Sequence, residues 1–521
     1  MTDYSEALNK PTGINLYLMS ELDYKRGLAS RLVEGGVVDF CLVNSLPWTA
    51  RYDECINVKT VDHGPFLFDE YDRVCNINDI PCVSKSLIEK MLPYESTAIK
   101  MGCRRLNVPV SEYEEEKRKY LQHLRYGNYL LDKYRINLIV LPGHPHSPGS
   151  YVIYGLAQVK GIQVMLWSQQ DTFLNRVLWG DSIENIGMNI ARRYNELCKQ
   201  GIVDFELDPD VVAGYEKVCQ HPDNLKVSLV NKRKMRSADE LREKQLKDKK
   251  REYDRDYIRT LARSILKAKS LKPLEMKGIS FRTRKRSFAA YSYYKRHLEM
   301  SVDRYDRKLA VKADMTCRYI LFLLQFSPEA STLPQAGVFA EQYNSIQLLS
   351  RAAQKVGVKV YVKEHPHNPG RSKDFYDEIR FIDNVRLIRS YESTYELMKN
   401  SIAVSTQTGS CIWEAVGMKK PIFVFSSGYF WKGCPGVYEM VDEKQGADLI
   451  KRAIDGIEMR DEDIRRYLYA IGLETIKEVT PWEMNDYAMN PTKEAPHVDL
   501  EERVQLIKRF IDDRLGVCGK N

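Results

Sequence analysis

Apolar positions along the chain fall into short buried-type runs separated by segments with helical spacing, and this alternation is clean in two stretches. In the first, INLYLMS from Ile14 reads as a strand, LDYKRGLASRLVEGG as a helix stopped at Gly35 and Gly36, and VDFCLVNS as the next strand. A less regular stretch follows. Residues 111–134 then carry helical spacing, with Ser111 and Glu114 placed to form a capping box. INLIVLPG predicts a strand, HPHSPGS a loop, YVIYGLAQVKG a helix and IQVMLWS another strand. That order makes a βαβ unit and implies a parallel sheet.

The second stretch opens at residue 318. RYILFLLQ predicts a strand, VFAEQYNSIQLLSRAAQKVG a helix closed by Gly357, and VKVYVKEH a strand. SKDFYDEIRFI, STYELMKN and GSCIWEAVGM read as helices, alternating with the strands NVRLI, SIAVST and PIFVFS. Five strands joined by helical crossovers predict a second Rossmann-like sheet. Near the C-terminus, DLEERVQLIKRFIDDRL reads as one amphipathic helix with Val504, Ile507, Phe510 and Ile511 on its apolar face, of the kind that packs back across a domain junction.

Between the two stretches the pattern changes. Residues 205–312 hold long Lys/Arg/Glu-rich helical runs, few strands and a break near Pro273. The net charge of +8 conceals this asymmetry, since residues 226–312 carry 28 Lys and Arg against 11 Asp and Glu. That is +17, which leaves the remainder at −9. A basic segment of this kind suits an anionic membrane surface at roughly 1 kcal/mol per basic residue, and a solvated helical face accounts for it too. No nucleic-acid-binding motif accompanies it, so no nucleic acid partner is expected.

A chain of 521 residues exceeds a single core, and 43% apolar with 29% charged residues is globular composition. The expected division is 1–205, a basic helical insert at 206–312, a domain at 313–480, and a tail with crossover helix at 481–521. No run approaches the ~20 apolar residues of a membrane span. The start, MTDYSEALNKPTG, lacks a basic and apolar leader, so no secretion signal and a cytoplasmic location are expected. The eleven cysteines form no C-x-x-C pair, which predicts free thiols and no zinc site.

Open parallel sheets bind ligands beyond the carboxyl ends of their strands, where strand order reverses. Three strand ends in the second stretch are unusually polar. LLQFSPEAST brings Gln325, Ser327, Glu329, Ser331 and Thr332, stiffened by Pro328. A carboxylate there can serve as base or nucleophile, and a helix-capping loop is the plain alternative. VYVKEHPHNPGR brings Lys363, Glu364, His365, His367 and Arg371. An imidazole among cationic side chains there is placed to meet phosphate oxygens and protonate a leaving phosphate. STQTGSCIWEAVG brings Ser405, Thr406, Thr408, Gly409 and Ser410 to a hydroxyl-rich turn that opens a helix. Glu414 sits one turn inside that helix, within reach of ribose hydroxyls. Simple capping by these Ser and Thr residues is the alternative. In the first stretch, His144, His146 and Ser147 end a strand, and Lys25 and Arg26 follow the first strand more weakly. Walker A, G-x-G-x-x-G and G-x-S-x-G motifs are absent, which disfavours P-loop, hydride-transfer and hydrolase chemistry.

Together, YILFLLQFSPEAST, VYVKEHP and STQTGSCIWEAVGMKKPIFVF resemble the capsular and surface polysaccharide biosynthesis proteins. That family is related to capsule Kdo transferases and to bacterial sialyltransferases with a His-Pro motif. The resemblance is strongest over residues 315–430 and fainter over HPHSPGSYVIYGLAQVKGI. It implies an α/β GT-B-like fold, two Rossmann-like domains facing a cleft, with the acceptor on the N-terminal domain and a nucleotide sugar on the C-terminal one. It further implies that His365, Glu329 and Glu364 are catalytic candidates. Lys363, Thr408, Gly409, Ser410, Glu414 and Gln325 would hold the donor nucleotide, with His144 and His146 on the acceptor side. The chain has Ser-Pro-Glu where the Kdo transferases carry a more acidic run, so the base or nucleophile stays open. The implied activity is a metal-independent glycosyltransferase that uses a CMP- or UDP-linked sugar as co-substrate and no cofactor. Its product would be a bacterial capsule or other surface polysaccharide, made at the inner face of the plasma membrane. A sugar-nucleotide epimerase of the same architecture and a non-catalytic assembly factor are the alternatives.

Overall fold

The computed structural model describes residues 11–19, 27–45, 57–62, 79–106, 113–170, 176–202, 204–219, 302–326, 329–365, 371–426, 431–477 and 499–515. Most of the basic segment and Ser111 of the expected capping box therefore lie outside the described residues. The described chain forms two compact units. One takes the chain to Ile186 and again from Thr475, and the other takes Gly187–Glu474. Among the described residues, no helix is long and apolar enough to cross a membrane.

The first unit begins with β1 (Asn15–Leu18), α1 (Leu28–Glu34), β2 (Phe40–Ser45) and β3 (Val58–Asp62). Next come α2 (Lys85–Lys90), α3 (Leu92–Leu106) and α4 (Tyr113–Lys133). β4 (Leu138–Pro142), α5 (Pro148–Lys160), β5 (Gln163–Gln170) and β6 (Arg176–Gly180) follow. α5 starts three residues before the predicted YVIYG segment because Ser147 caps it. The Ser147 hydroxyl accepts the Ser150 N–H at 3.2 Å, and Pro148 supplies a first-turn residue with no N–H to satisfy. Strands β1 to β5 pair in parallel, and β6 turns back antiparallel to β5.

The second unit opens with α6 (Met188–Gln200), α7 (Pro209–Cys219) and α8 (Val302–Lys308). Its sheet is then built from β7 (Tyr319–Leu323), α9 (Gln342–Gln354), β8 (Lys359–Lys363), α10 (Lys373–Arg380) and β9 (Val385–Ile388). α11 (Thr394–Asn400), β10 (Ala403–Thr406), α12 (Cys411–Gly417), β11 (Ile422–Val424) and β12 (Val437–Glu439) complete the sheet. α13 (Glu443–Asp455) and α14 (Asp461–Glu474) follow. The strand order is β12-β11-β10-β7-β8-β9 and every pair is parallel. The chain thus lays β7, β8 and β9 outward in one direction, then returns beside β7 with β10 and continues the other way. This is the doubly wound order, and its reversal point lies between β7 and β10.

Both faces of that sheet are covered, so its strands read as near-continuous apolar runs. Ile320, Phe322, Val360, Val362, Ile346, Leu349 and Phe423 form one core cluster. α9 begins at Gln342 rather than at Val338. Glu341 is extended, at φ −82° and ψ 100°, and breaks the helical run there, while residues 337–339 make a separate tight turn that begins at Gly337 with φ 56°. The sixth strand, β12, was not foreseen. It is a three-residue edge strand of half-buried residues.

The chain re-enters the first unit with β13 (Ile476–Lys477) and α15 (Leu500–Leu515). β13 pairs antiparallel with β6, which completes the order β13-β6-β5-β4-β1-β2-β3. The apolar face read from the sequence is the buried one. Val504, Ile507, Phe510 and Ile511 join Leu16, Val43, Val140 and Met165 in a single core, and Phe510 meets Trp179 edge-on at 5.8 Å. Two Rossmann-like sheets, as expected, are therefore present, the first parallel through β1–β5 with an antiparallel edge of β6 and β13, the second parallel throughout.

Candidate active site

At the reversal point the exits of β7 and β10 are joined by side chains. The Gln325 amide oxygen accepts the backbone N–H of Gly409 at 2.7 Å and of Thr408 at 3.0 Å, while its amide nitrogen faces the Thr408 hydroxyl at 3.2 Å. That hydroxyl lies between the same Gln325 oxygen at 2.6 Å and the Ser331 carbonyl at 2.7 Å, sharing its one proton between two acceptors, which ties the β7 exit loop to the same turn. The backbone of Gln325 is fixed as well. Its N–H donates to Gln342 Oε1 at 2.8 Å, and its carbonyl accepts Gln342 Nε2 at 3.2 Å. Gln325, Gln342 and Thr408 are all buried, so these contacts are made out of competition with bulk water.

The β8 exit lies alongside. The His365 ring packs on Phe326, with centroids 5.7 Å apart, and Phe326 directly follows Gln325. Thus one short segment, Gln325–Phe326, touches both the hydroxyl-rich turn and the imidazole. Glu364 does not present a free carboxylate there. One oxygen accepts the His365 backbone N–H at 2.8 Å, and the other accepts Arg371 Nε at 3.0 Å together with the Tyr376 hydroxyl. Held on both oxygens and buried, Glu364 organises the loop, which leaves a catalytic role without the open carboxylate that base or nucleophile chemistry requires.

Lys363 is likewise directed inward. Its ammonium donates to the Ser390 carbonyl at 2.8 Å, at the end of β9, rather than projecting as a free phosphate-binding cation. Burial pulls its pKa down to about 8, against the opposing charges of Asp306, Glu364 and Glu392. Asp306 in turn holds Ser390 by its N–H at 2.7 Å and its hydroxyl at 2.6 Å.

The remaining candidates are placed as follows. Glu329 is exposed and accepts the Ser331 hydroxyl at 3.1 Å. Ser410 is the half-buried N-cap residue of α12, and Glu414 is half-buried in its first turn. Glu414 also adds to the field that, after burial, keeps the Cys219 thiol of α7 protonated. His144 and His146 belong to the first unit, at the exit of β4. His146 is exposed. His144 is buried and pushed down to about 3 by desolvation and by its neighbour His146, so it is neutral at physiological pH. Ser327 and His367 lie outside the described residues.

The backbone N–H groups of Thr408 and Gly409, expected to meet a phosphate, are filled by the Gln325 oxygen. An anion binding those same groups takes the place of that oxygen. Gln342 and Tyr376 were missed by sequence reasoning. Each reads as an ordinary residue of a predicted helix, and only its partner far along the chain gives it a task.

No family model matches the sequence, and no curated protein sequence matches it. Solved structures are similar to it. One is a UDP-GlcNAc 2-epimerase from Methanocaldococcus jannaschii in complex with UDP-GlcNAc and UDP, at 11% identity over 88% of this chain and 98% of that one, with a TM-score of 0.26. A second is KpsC, a beta Kdo 2,4 transferase, from Thermosulfurimonas dismutans, at 12% identity over 64% of this chain and 79% of that one, with a TM-score of 0.28. A third is a UDP-GlcNAc 2-epimerase from Neisseria meningitidis bound to UDP-GlcNAc, at 10% identity over 88% and 96%, with a TM-score of 0.24. These similarities span transferases and epimerases, and the roles of residues rest on the chain's own geometry.

Proposed function

We propose that the chain is a glycosyltransferase whose nucleotide-sugar donor sits beyond the carboxyl ends of β7, β8 and β10, and whose product is a bacterial capsule or other surface polysaccharide. The observation that carries this reading is the convergence at the reversal point. Gln325 reaches the Thr408–Gly409 turn, and the next residue, Phe326, packs on His365. Parallel sheets of this order take ligands there, and the Thr408–Gly409–Ser410 turn offers donors suited to phosphate. The resemblance of the three motifs to capsule polysaccharide proteins points to a CMP- or UDP-linked sugar. In this reading the donor phosphate displaces the Gln325 oxygen, and Glu414 accepts the ribose hydroxyls. His365 protonates the leaving phosphate, since an imidazole with a reference pKa near 6.5 gives and takes a proton near neutrality. The basic segment would bring the enzyme to the anionic inner face of the plasma membrane, where a lipid-linked saccharide is extended.

The test incubates the full chain with CMP- and UDP-sugars, with and without saccharide acceptors, and follows nucleotide release and sugar identity. Release that requires an acceptor and falls at least about 100-fold in His365→Ala supports the transferase. A donor whose sugar changes with no acceptor present makes the chain an epimerase instead. Unaltered polysaccharide output in cells carrying His365→Ala and Glu414→Ala points to a non-catalytic factor.

A further inference from the structure

We infer that Arg371 is a positioning residue that sets the Thr408–Gly409 turn through Gln325; its importance to donor binding rests on the reading above, while the coupling itself does not. The guanidinium is buried and lies over the Phe375 ring at 5.1 Å. Its Nε donates to Glu364 at 3.0 Å, beyond β8, and its Nη2 donates to the Gln325 carbonyl, beyond β7. One planar fork therefore spans two neighbouring strand exits.

On the β8 side, Glu364 also holds the His365 N–H and the Tyr376 hydroxyl, so the carboxylate cannot turn without releasing three donors. On the β7 side, Arg371 and Gln342 share the Gln325 carbonyl, and Gln342 also receives the Gln325 N–H. With both backbone polar groups of Gln325 held, its side chain is aimed at the two turn N–H groups it accepts. A lysine cannot reproduce this arrangement, because a point charge on a flexible stem lacks the fork that meets two acceptors in fixed directions. An anchor serving only its own loop would have no need to reach Gln325. Arg371 precedes α10 and Tyr376 lies in it, so the clamp draws the exits of β7 and β8 together with α10, and the charge of Glu364 is also felt by Tyr305 of α8 and by Lys363.

Hydrogen exchange of the full chain, read by mass spectrometry on peptides covering residues 405–411, tests the coupling. Arg371→Lys is expected to speed exchange of the Thr408 and Gly409 amides about tenfold, the effect of weakening one hydrogen bond. Gln325→Ala is expected to do the same, and the double variant to exchange no faster than either single one, because all act along one path. Wild-type exchange in this turn for Arg371→Lys overturns the inference, and so does an additive double variant. Should Arg371→Lys not fold, Tyr376→Phe removes one donor from Glu364 with little change in shape. A twofold or greater acceleration in the same peptide upholds the clamp, and none overturns it. Calorimetric titration with UDP and CMP separates the two readings. Coupled exchange in a wild-type chain that binds neither nucleotide overturns the donor site alone. Nucleotide binding with uncoupled exchange overturns the clamp alone.

Discussion

Replacing Lys363 by methionine isolates what the buried ammonium does to the second unit. The folded-state pKa of about 8 against the ordinary 10.5 leaves a gap of about 2.5, or about 3 kcal/mol at 1.36 kcal/mol per pH unit. The sign follows from proton counting. Between pH 8 and 10.5 the unfolded chain holds a proton here that the folded chain has released, so stability rises with pH across that window and is flat on either side. Going from pH 7 to pH 10 recovers most of it, about 2 to 3 kcal/mol. Lys363→Met keeps an apolar stem of similar length, loses the bond to the Ser390 carbonyl, and has no proton to release. Guanidinium unfolding at both pH values, followed by tryptophan fluorescence, to which Trp413 and Trp431 of the second unit contribute with Trp167 and Trp179 of the first, reads the effect as the difference between variant and wild type. Subtracting variant from wild type removes titrations common to both. Wild type should gain about 2 to 3 kcal/mol relative to Lys363→Met between the two conditions. A difference that stays constant with pH would mean that the ammonium reaches water or a stronger partner, and the inward orientation of Lys363 would be wrong.

Three further outcomes are expected. The folded-state pKa of His144, about 3, lies below the ordinary 6.5, so the stability tied to its neutral form is present above pH 6.5 and lost as pH falls towards 3. Unfolding curves at pH 7 and pH 5 should show wild type losing about 2 kcal/mol relative to His144→Gln. Gln325→Glu puts a carboxylate against the Thr408 and Gly409 N–H groups, where it competes with a donor phosphate; UDP or CMP binding by calorimetry should weaken at least about tenfold with the melting temperature retained. A Cβ at Gly409 would meet the Thr406 hydroxyl at 3.0 Å and the Cys411 sulfur at 3.3 Å. Gly409→Ala should therefore widen the turn, costing about 1 kcal/mol in thermal unfolding and more in nucleotide affinity.

Much of the second sheet was legible because a strand covered on both faces has to be a compact apolar run. Tyr319–Leu323 and Lys359–Lys363 show this directly. Edge elements were not. Val437–Glu439 is three half-buried residues and Ile476–Lys477 only two, too short for a period of two to register. The site was legible as a set of strand exits rich in polar residues, while the direction of each side chain was not. Lys-Glu-His marks the end of β8, but whether Lys363 and Glu364 face ligand or protein depends on Ser390, Arg371 and Tyr376, which the topology delivers from elsewhere. Spacing along one strand carries no record of those arrivals. The N–H pair of Thr408 and Gly409 was readable as an anion cradle, whereas its occupation by Gln325 needed the parallel pairing of β7 with β10.

The return of β13 and α15 to the first unit bears on how the molecule is made. During synthesis the ribosome emits β1 to β6 hundreds of residues before the helix that seals them. The apolar surface later covered by Ile507 and Phe510 therefore stays open through most of translation. A nascent chain of this design invites chaperone attention on its early half, and a premature stop before residue 500 damages the portion made first.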